Sequence, residues 1–182
     1  MVLPGLCPRT ADPTTCGYVL ESAMKRIEES VIINRRCDEV FAYLETRSND
    51  PSWMAAVLES RWLDPAGSDP AGSTAVGRRG RMVMKIRGRR AEFIDEVTGY
   101  EPGRRIAHRT VEGPIQLNTA CICEPATGGC RATVVGEADR LAAGVFRALV
   151  EPMIARGIRR SFKVDLARLK SILEGEPGPV DA

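Results

Sequence analysis

The fold is decided by residues 141–174, LAAGVFRALVEPMIARGIRRSFKVDLARLKSILE, because their apolar side chains recur with a helical period. The opposite face carries arginines and lysines, which suit contact with water. This pattern predicts one long amphipathic helix, and an apolar stripe of this length needs a large partner surface. The members of the stripe are Leu141, Val145, Leu149, Met153, Ile158, Phe162, Leu166, Leu169 and Leu173.

The predicted helix has a weak point and a clear end. At roughly 1.5 Å per residue it would be about 50 Å long, which is too long for a lone helix in a small domain. Pro152 lacks a backbone donor, so we expect it to kink the helix one turn earlier. Gly175, Pro177 and Gly178 cannot continue a helix and therefore end it.

The length and composition of the chain favour a single globular domain. The chain has 182 residues and a formal net charge of +2, which is too balanced to indicate a nucleic-acid partner by itself. No apolar run reaches the roughly 18 residues that a membrane span needs. The six cysteines do not have the spacing of a small disulfide scaffold, so we expect a reduced, cytoplasmic protein.

The chain divides into three predicted parts. Residues 1–23 have no apolar period and no apolar core of a signal peptide, so we expect a disordered leader. Met24 would make a natural start for the folded domain, which we place at residues 24–174. Residues 175–182 are expected to form a disordered tail.

The first half of the domain alternates strands with short helices. Ile27, Val31 and Ile33 share one side of an alternating segment, and Asp38 is a plausible N-cap. A tandem repeat of DPAGS indicates an exposed loop. In chain order we predict a strand over 25–34, a helix over 39–45, a turn and short helical segment from 49–53, a strand over 57–63 and a loop over 64–73.

From Gly77 onward the sequence predicts an antiparallel meander whose turns set the register. The predicted turns contain Gly88-Arg89, Pro102-Gly103 and Gly113-Pro114, and a last hairpin pairs Cys123 with Cys130. The predicted partners are Met82 with Asp95, Met84 with Phe93, Tyr100 with Arg105, Val97 with His108, Asp95 with Thr110, Thr110 with Leu117, His108 with Thr119, Ile106 with Cys121 and Cys121 with Ala132.

These hairpins, chosen by turn chemistry, agree on which side chains share a face of the sheet. Because a slip of one residue would invert every side chain, the agreement supports the strand assignment. One face carries an ion ladder, Arg81–Glu96–Arg109, and is expected to be solvated. The other is apolar and should be the concave face that closes on the long helix. Its members are Met82, Met84, Ile86, Phe93, Val97, Ile106, Leu117, Cys121 and Val134.

The order of these elements resembles the helix-grip fold of the START and Bet v 1-like (SRPBCC) superfamily, often labelled polyketide cyclase/dehydrase. This is an α+β fold in which a curved antiparallel sheet and two short helices wrap a long C-terminal α-helix. The resemblance implies a deep cavity between sheet and helix for an apolar or amphipathic small molecule. It covers about residues 26–174 and is carried by ESVII at 29–33, DEVF at 38–41, PSW at 51–53, EV at 96–97, EP at 101–102, DLARLK at 165–170 and LE at 173–174.

His108 and Asp95 are the candidate chemical groups of the cavity. His108 is the only histidine, and the register places Asp95 diagonal to it on the concave face. A carboxylate that orients an imidazole suits acid–base catalysis, and a self-satisfied polar pair is the alternative. We expect Trp53 to form a wall or lid of the mouth. The predicted ligand-binding residues are Trp53, Met82, Met84, Phe93, Asp95, His108, Thr110, Thr119 and Met153.

Two further motifs favour structural roles. Cys121, Cys123 and Cys130 could give three thiolates to zinc, but they lie on the apolar face without an obvious fourth ligand. We therefore expect no metal and no cofactor. Glu92 and Glu96 compensate part of the positive charge of the basic run over residues 78–90, which favours a solvated sheet face over a nucleic-acid surface.

Three function classes remain open on the sequence. The first is a carrier or sensor that binds a hydrophobic metabolite, and the second is a cyclase or dehydratase that acts on a polyketide-like substrate. The third is an interaction module that uses the basic face of the long helix. We expect a hydrophobic small-molecule ligand, no nucleic-acid partner and no membrane span, and the oligomeric state stays open.

Overall fold

Alternating and helical periods in the sequence produce seven strands and three helices in the part of the chain that the computed structural model describes, residues 25–63, 76–86, 88–138 and 147–175. The expected leader, the repeated loop over 64–73 and residues 141–146 lie outside that part. The elements are β1 (Lys25–Ile33), α1 (Cys37–Glu45), a 3-10 turn (Arg47–Asn49), α2 (Asp50–Trp53), β2 (Val57–Trp62), β3 (Arg79–Ile86), β4 (Arg89–Glu101), β5 (Arg105–Glu112), β6 (Leu117–Ala126), β7 (Gly129–Ala138) and α3 (Arg147–Glu174).

The strands form one curved antiparallel sheet in the order β1-β7-β6-β5-β4-β3-β2. The first strand pairs with the last one, so the helical segment between β1 and β2 runs from one edge of the sheet to the other. The predicted helix-grip architecture is therefore confirmed. The described residues contain no helix long and apolar enough to cross a membrane.

The main core lies between the sheet and α3. Leu166 and Leu169 on α3 are fully buried, and the core they join includes Ile33 of β1 and Phe41 of α1. The helix packs mainly against β1 and makes smaller contacts with α2 and β7. Its C-terminal half therefore seals one side of the concave face.

Polar contacts fix the position of α3 along the sheet. The buried carboxylate of Asp165 accepts a hydrogen bond from the backbone N–H of Ala55 at 3.0 Å. Lys170 donates to the backbone carbonyl of Ile32 at 2.9 Å. Pro152 lies inside the helix, as the sequence suggested, and the kink that we expected there stays a prediction.

The pairing confirms which residues share a face of the sheet, but the convex face is not wholly solvated, because Val83 and a small cluster of Ala107, Ala120 and Val135 are buried there. Val97 pairs with His108, Asp95 with Thr110 and His108 with Thr119, as expected. Phe93 and Val97 are buried on the concave face. The period of the side chains was sufficient to assign the faces.

Two hairpins have a register two residues away from the predicted one. Met82 pairs with Phe93 rather than Asp95, because β4 begins at Arg89 and Gly88 takes a later place in the turn. In the last hairpin Cys123 pairs with Ala132 rather than Cys130. In both hairpins a glycine with positive φ, Gly88 or Gly128, is the second residue of a two-residue turn, and this placement sets the observed register. A two-residue slip leaves every side chain on its own face.

A bulge at Thr98 makes a third pairing, between β4 and β5, differ from the predicted one. The ladder between β4 and β5 passes from Val97 to Gly99, so Tyr100 pairs with Ile106 and not with Arg105. An extra residue on one strand adds local twist to the sheet.

The convex face carries ion pairs, but their partners differ from the predicted ladder. Arg81 binds Glu92 at 2.6 Å and Glu59 at 3.3 Å. Glu96 contacts Arg79 at 3.4 Å and Arg109 at 3.9 Å. The predicted contact between Arg81 and Glu96 is wrong because of the register change in the β3–β4 hairpin.

The start of α1 also differs from the prediction. Arg36, not Asp38, occupies the N-cap position, and its backbone N–H donates to the Glu39 carboxylate at 3.0 Å. Asp38 instead lies in the first turn, where a negative charge suits the helix dipole. Val40 and Leu44 face the core as predicted.

The face assignment predicts very different costs for two neighbouring substitutions on β4. Phe93→Ala removes a buried ring and should lower the free energy of unfolding by about 3–5 kcal/mol. Glu96→Ala removes a partly exposed ion pair on the convex face and should cost about 0.2–1 kcal/mol. Urea unfolding of both variants measures the difference, and equal losses would contradict the assignment.

Candidate functional site

The structure brings Asp95 and His108 together on the concave face. Their strands are adjacent, and the His108 Nδ1 atom lies 3.5 Å from the Asp95 Oδ1 atom. Asp95 is buried, whereas the His108 side chain is 19% exposed. Asp95 pairs across β3 with Gly80 rather than with Met82, as the corrected register requires.

Arg47 completes this pair, and the sequence analysis did not identify it. Its guanidinium binds the Asp95 Oδ1 atom through Nη2, which also lies 3.3 Å from His108 Nδ1. Nη1 donates to the Ser60 hydroxyl at 3.4 Å. Arg47 is only 5% exposed. A buried cation is tolerated only when it is paired and hydrogen-bonded, and Asp95 provides that compensation.

The network continues from Ser60 to a second carboxylate. The Ser60 hydroxyl donates to the Asp50 Oδ2 atom at 2.6 Å. Asp50 is buried at the start of α2, and burial raises its pKa to about 6 against the lowering effects of Ser60 and Arg47. The two carboxylates of this network therefore differ in proton affinity.

The environment of Asp95 moves its pKa in the opposite direction. Burial favours the neutral acid, but the hydrogen bond from His108 and the charge of Arg47 outweigh burial and lower the pKa. Asp95 consequently stays ionised as the acceptor for both neighbours.

Trp62 forms an aromatic wall beside the network. Its ring centroid lies 4.4 Å from the guanidinium carbon of Arg47 and 4.4 Å from that of Arg78. The His108 ring is 6.4 Å away, centroid to centroid. Guanidinium groups at this distance from an indole are attracted by its π system.

Gly80 makes room for Arg47. A Cβ atom at Gly80 would lie 2.5 Å from Arg47 Nε and 2.6 Å from Arg47 Nη1, which is closer than nonbonded atoms approach. A glycine inside a strand often marks such a close approach. Gly80, opposite both Trp62 and Asp95 in the sheet, was thus a sequence signal for a buried neighbour.

The remaining predicted site residues are distributed unevenly. Phe93 and Thr110 are buried, whereas Met82, Met84 and Thr119 are half-buried. All five belong to the concave-face series of the meander, beside or along the strands that carry the polar network.

Two predicted site residues lie elsewhere than expected. Trp53 is 2% exposed within the main core, so the expectation that it forms a wall or lid of the mouth is wrong. The short helix α2 turns its ring inward. Met153 on α3 is 69% exposed, so the expectation that it lines the ligand site is not met in this structure.

The described cysteines behave as packed thiols. Cys37, Cys121, Cys123 and Cys130 are all free, and Cys123 and Cys130 are buried. Burial raises the pKa of both Cys121 and Cys123 to about 12, which favours the protonated thiol over the thiolate that binds zinc. Within the described ranges no group of three or more His, Cys, Asp or Glu residues has the geometry of a metal site.

A surface groove of about 680 Å³ lies at the junction of β1 and α1. It contains none of the predicted site residues. Its chemistry comes from exposed backbone and surface charges, so we place the candidate site at the Arg47–Asp95–His108 network instead. The groove is lined by Asn34, Arg35, Arg36, Cys37, Asp38, Glu39, Pro125 and Gly129.

Gly80→Ala should disturb the network from the backbone side. The new methyl group would displace the Arg47 guanidinium from its buried partners, at an expected cost of about 2–4 kcal/mol in urea unfolding. Gly99→Ala is the matched control, because its Cβ would clash only with the Nη1 end of Arg105, at 2.8 Å, which can swing away, and would make an ordinary contact with Ala107 Cβ at 3.7 Å. Equal effects of the two substitutions would contradict the role assigned to Gly80.

Asp50 should give the protein a measurable pH dependence. Its pKa is raised from 3.8 to about 6 in the folded state, so the folded state binds the proton more tightly and loses stability as the pH rises through this interval. Asp50→Asn has no charge to bury. We expect the free energy of unfolding of this variant to be about 2–3 kcal/mol higher than that of the wild type at pH 8. This difference should disappear near pH 4, where Asp50 is protonated in the wild type. A pH-independent difference in urea unfolding would be inconsistent with this assignment.

Several solved structures share this fold. The match to the Zhui aromatase/cyclase from Streptomyces sp. R1128 has 16% identity, covers 83% of this chain and 94% of that one, and has a TM-score of 0.65. A START superfamily protein from Mycobacterium smegmatis matches with 15% identity over 82% of this chain and 94% of that one, with a TM-score of 0.59. The protein TTHA0849 from Thermus thermophilus matches with 13% identity over 83% of this chain and 98% of that one, with a TM-score of 0.66. At such identities the likeness concerns the fold.

The sequence itself matches a family model. No curated protein gives a significant match to this chain. The model described as polyketide cyclase / dehydrase and lipid transport matches residues 24–174, which include every element described above. The chain therefore belongs to the polyketide cyclase/dehydrase and lipid transport family, which confirms the predicted resemblance, and it shares the predicted helix-grip fold with the solved structures above.

Proposed function

We propose that this chain is a carrier or sensor that binds a hydrophobic or amphipathic small molecule between the concave face of the sheet and α3. The observation that carries the proposal is a buried polar network, Arg47–Asp95–His108, set beside apolar strand residues that are only partly covered. Met82 and Met84 on β3 are half-buried. Small-ligand sites combine apolar walls with a few fixed polar groups in this way.

Within the described residues, the packing of α3 supports an open region at this place. The helix covers mainly β1, and its buried leucines lie on that side of the sheet. The strands β3–β5, which carry the predicted site residues, are at the other side of the sheet order. A ligand bound there would cover the half-exposed methionines and the exposed part of His108.

A second candidate function is a cyclase or dehydratase reaction on a polyketide-like substrate, with Asp95 and His108 as the acid–base pair. The contact of 3.5 Å between them favours it. If His108 Nδ1–H donates to Asp95, Nε2 can accept a proton from a substrate, since no described residue bonds to it. If Nδ1 instead accepts from Arg47, Nε2–H is free to donate. The ionised Asp95 favours the first tautomer, in which Nε2 accepts the proton and Asp95 stabilises the imidazolium that forms.

We also infer a reduced, cytoplasmic setting and a ligand-binding domain at residues 24–174. The four described cysteines are free thiols, which supports the first inference. The family model spans the same residues as the inferred domain, which supports the second.

Native mass spectrometry of the freshly purified protein tests the binding proposal. We expect a co-purifying lipid-like or aromatic molecule, released under denaturing conditions. If the protein only binds, Asp95→Asn and His108→Gln should weaken its affinity for that molecule by about 1–3 kcal/mol, without formation of any product. Glu96→Gln, on the other face of the same strand, is the control and should leave the affinity unchanged.

The same variants separate the two candidate functions. For an enzyme, Asp95→Asn or His108→Gln should reduce turnover by roughly a hundredfold or more and leave ligand affinity nearly intact. Wild-type affinity in both variants, together with no detectable turnover in the wild type, would contradict a functional role for the network.

A further inference from the structure

Arg78 is a second arginine beside Trp62, immediately before β3. Its backbone carbonyl accepts a hydrogen bond from the N–H of Val97 at 2.9 Å, so the ladder with β4 holds its position. Along this strand Arg78 is in phase with Gly80 and Met82, on the concave side. Its guanidinium carbon lies 4.4 Å from the centroid of the Trp62 ring.

The two arginines beside Trp62 differ in how their charges are compensated. Arg47 is buried and bound to Asp95. Arg78 is half-buried, and no carboxylate of the described ranges lies within ion-pair distance of it. Its neighbour Arg79 points to the convex face, where Glu96 is 3.4 Å away. Arg78 therefore places an uncompensated positive charge at the edge of the polar network.

Stacking on an indole positions a guanidinium without using its N–H donors. The planar fork of donors fits a carboxylate, which it can bind through two parallel hydrogen bonds. Arg47 cannot offer this fork to a ligand, because Asp95 and Ser60 already engage both of its terminal nitrogens. Arg47 keeps an unpartnered Nε–H, but that atom is buried, so only the half-buried Arg78 presents its fork to an incoming anionic group.

We propose that Arg78, held by Trp62, is a subsite for the carboxylate of an amphipathic ligand whose apolar part lies along Met82 and Met84. This inference rests on the proposed ligand-binding function and narrows the ligand class to acids. The subsite selects a charged end, whereas the apolar wall selects only for hydrophobic surface. It thereby distinguishes a fatty-acid-like molecule from its neutral ester.

Isothermal titration with dodecanoate and methyl dodecanoate tests the subsite. We expect the wild type to bind dodecanoate at least about tenfold more tightly than the ester, which is the range of a charge-assisted pair. Arg78→Gln should reduce this preference below about threefold by weakening dodecanoate alone. Arg61→Gln, on the convex face of β2, is the matched control and should keep the wild-type preference.

Salt gives a second measurement that needs no substitution. Because Arg78 is only half-buried, the preference of the wild type for dodecanoate should fall severalfold between low salt and about 1 M NaCl. Equal binding of both probes, an unchanged preference in Arg78→Gln or a salt-independent preference would overturn the subsite and leave the binding function standing. Failure of the wild type to bind either probe would overturn both.

Discussion

The buried ion pair between Arg47 and Asp95 is the constraint on which the candidate site depends. Arg47 comes from the turn between α1 and α2, and Asp95 from the middle of β4. Their contact ties the helical segment to the centre of the sheet. Removing either partner would leave a buried charge without compensation, which costs about 3–5 kcal/mol. Gly80 provides the space, and His108 and Ser60 occupy further hydrogen-bonding positions.

This constraint divides the concave face into two regions with different roles. Beneath the C-terminal half of α3, Leu166 and Leu169 complete a closed core that supplies stability. Towards β3–β5 the wall is only partly covered, and there the charged network lies among apolar side chains. His108, which is partly exposed, lies in this second region, so we assign ligand binding to the β3–β5 end of the concave face and stability to the end beneath α3.

The sequence predicted the fold and the faces of the strands, because alternation and helical period depend on burial alone. It did not predict the register of two hairpins, since a two-residue slip changes partners without moving Phe93 or Met82 to another face. It brought Asp95 and His108 together but missed Arg47, which lies in a short turn without any period. The available signals were a buried Asp95 with only a histidine beside it and a glycine at position 80.

A double-mutant cycle on Arg47 and Asp95 tests the central claim most directly. Urea unfolding of Arg47→Met, Asp95→Asn and the double variant gives the coupling between the two side chains. We predict that each single variant loses about 3–5 kcal/mol and that the double variant loses little more than either, a coupling of at least about 2 kcal/mol. Losses that add within about 0.5 kcal/mol would show two independent residues and contradict the account.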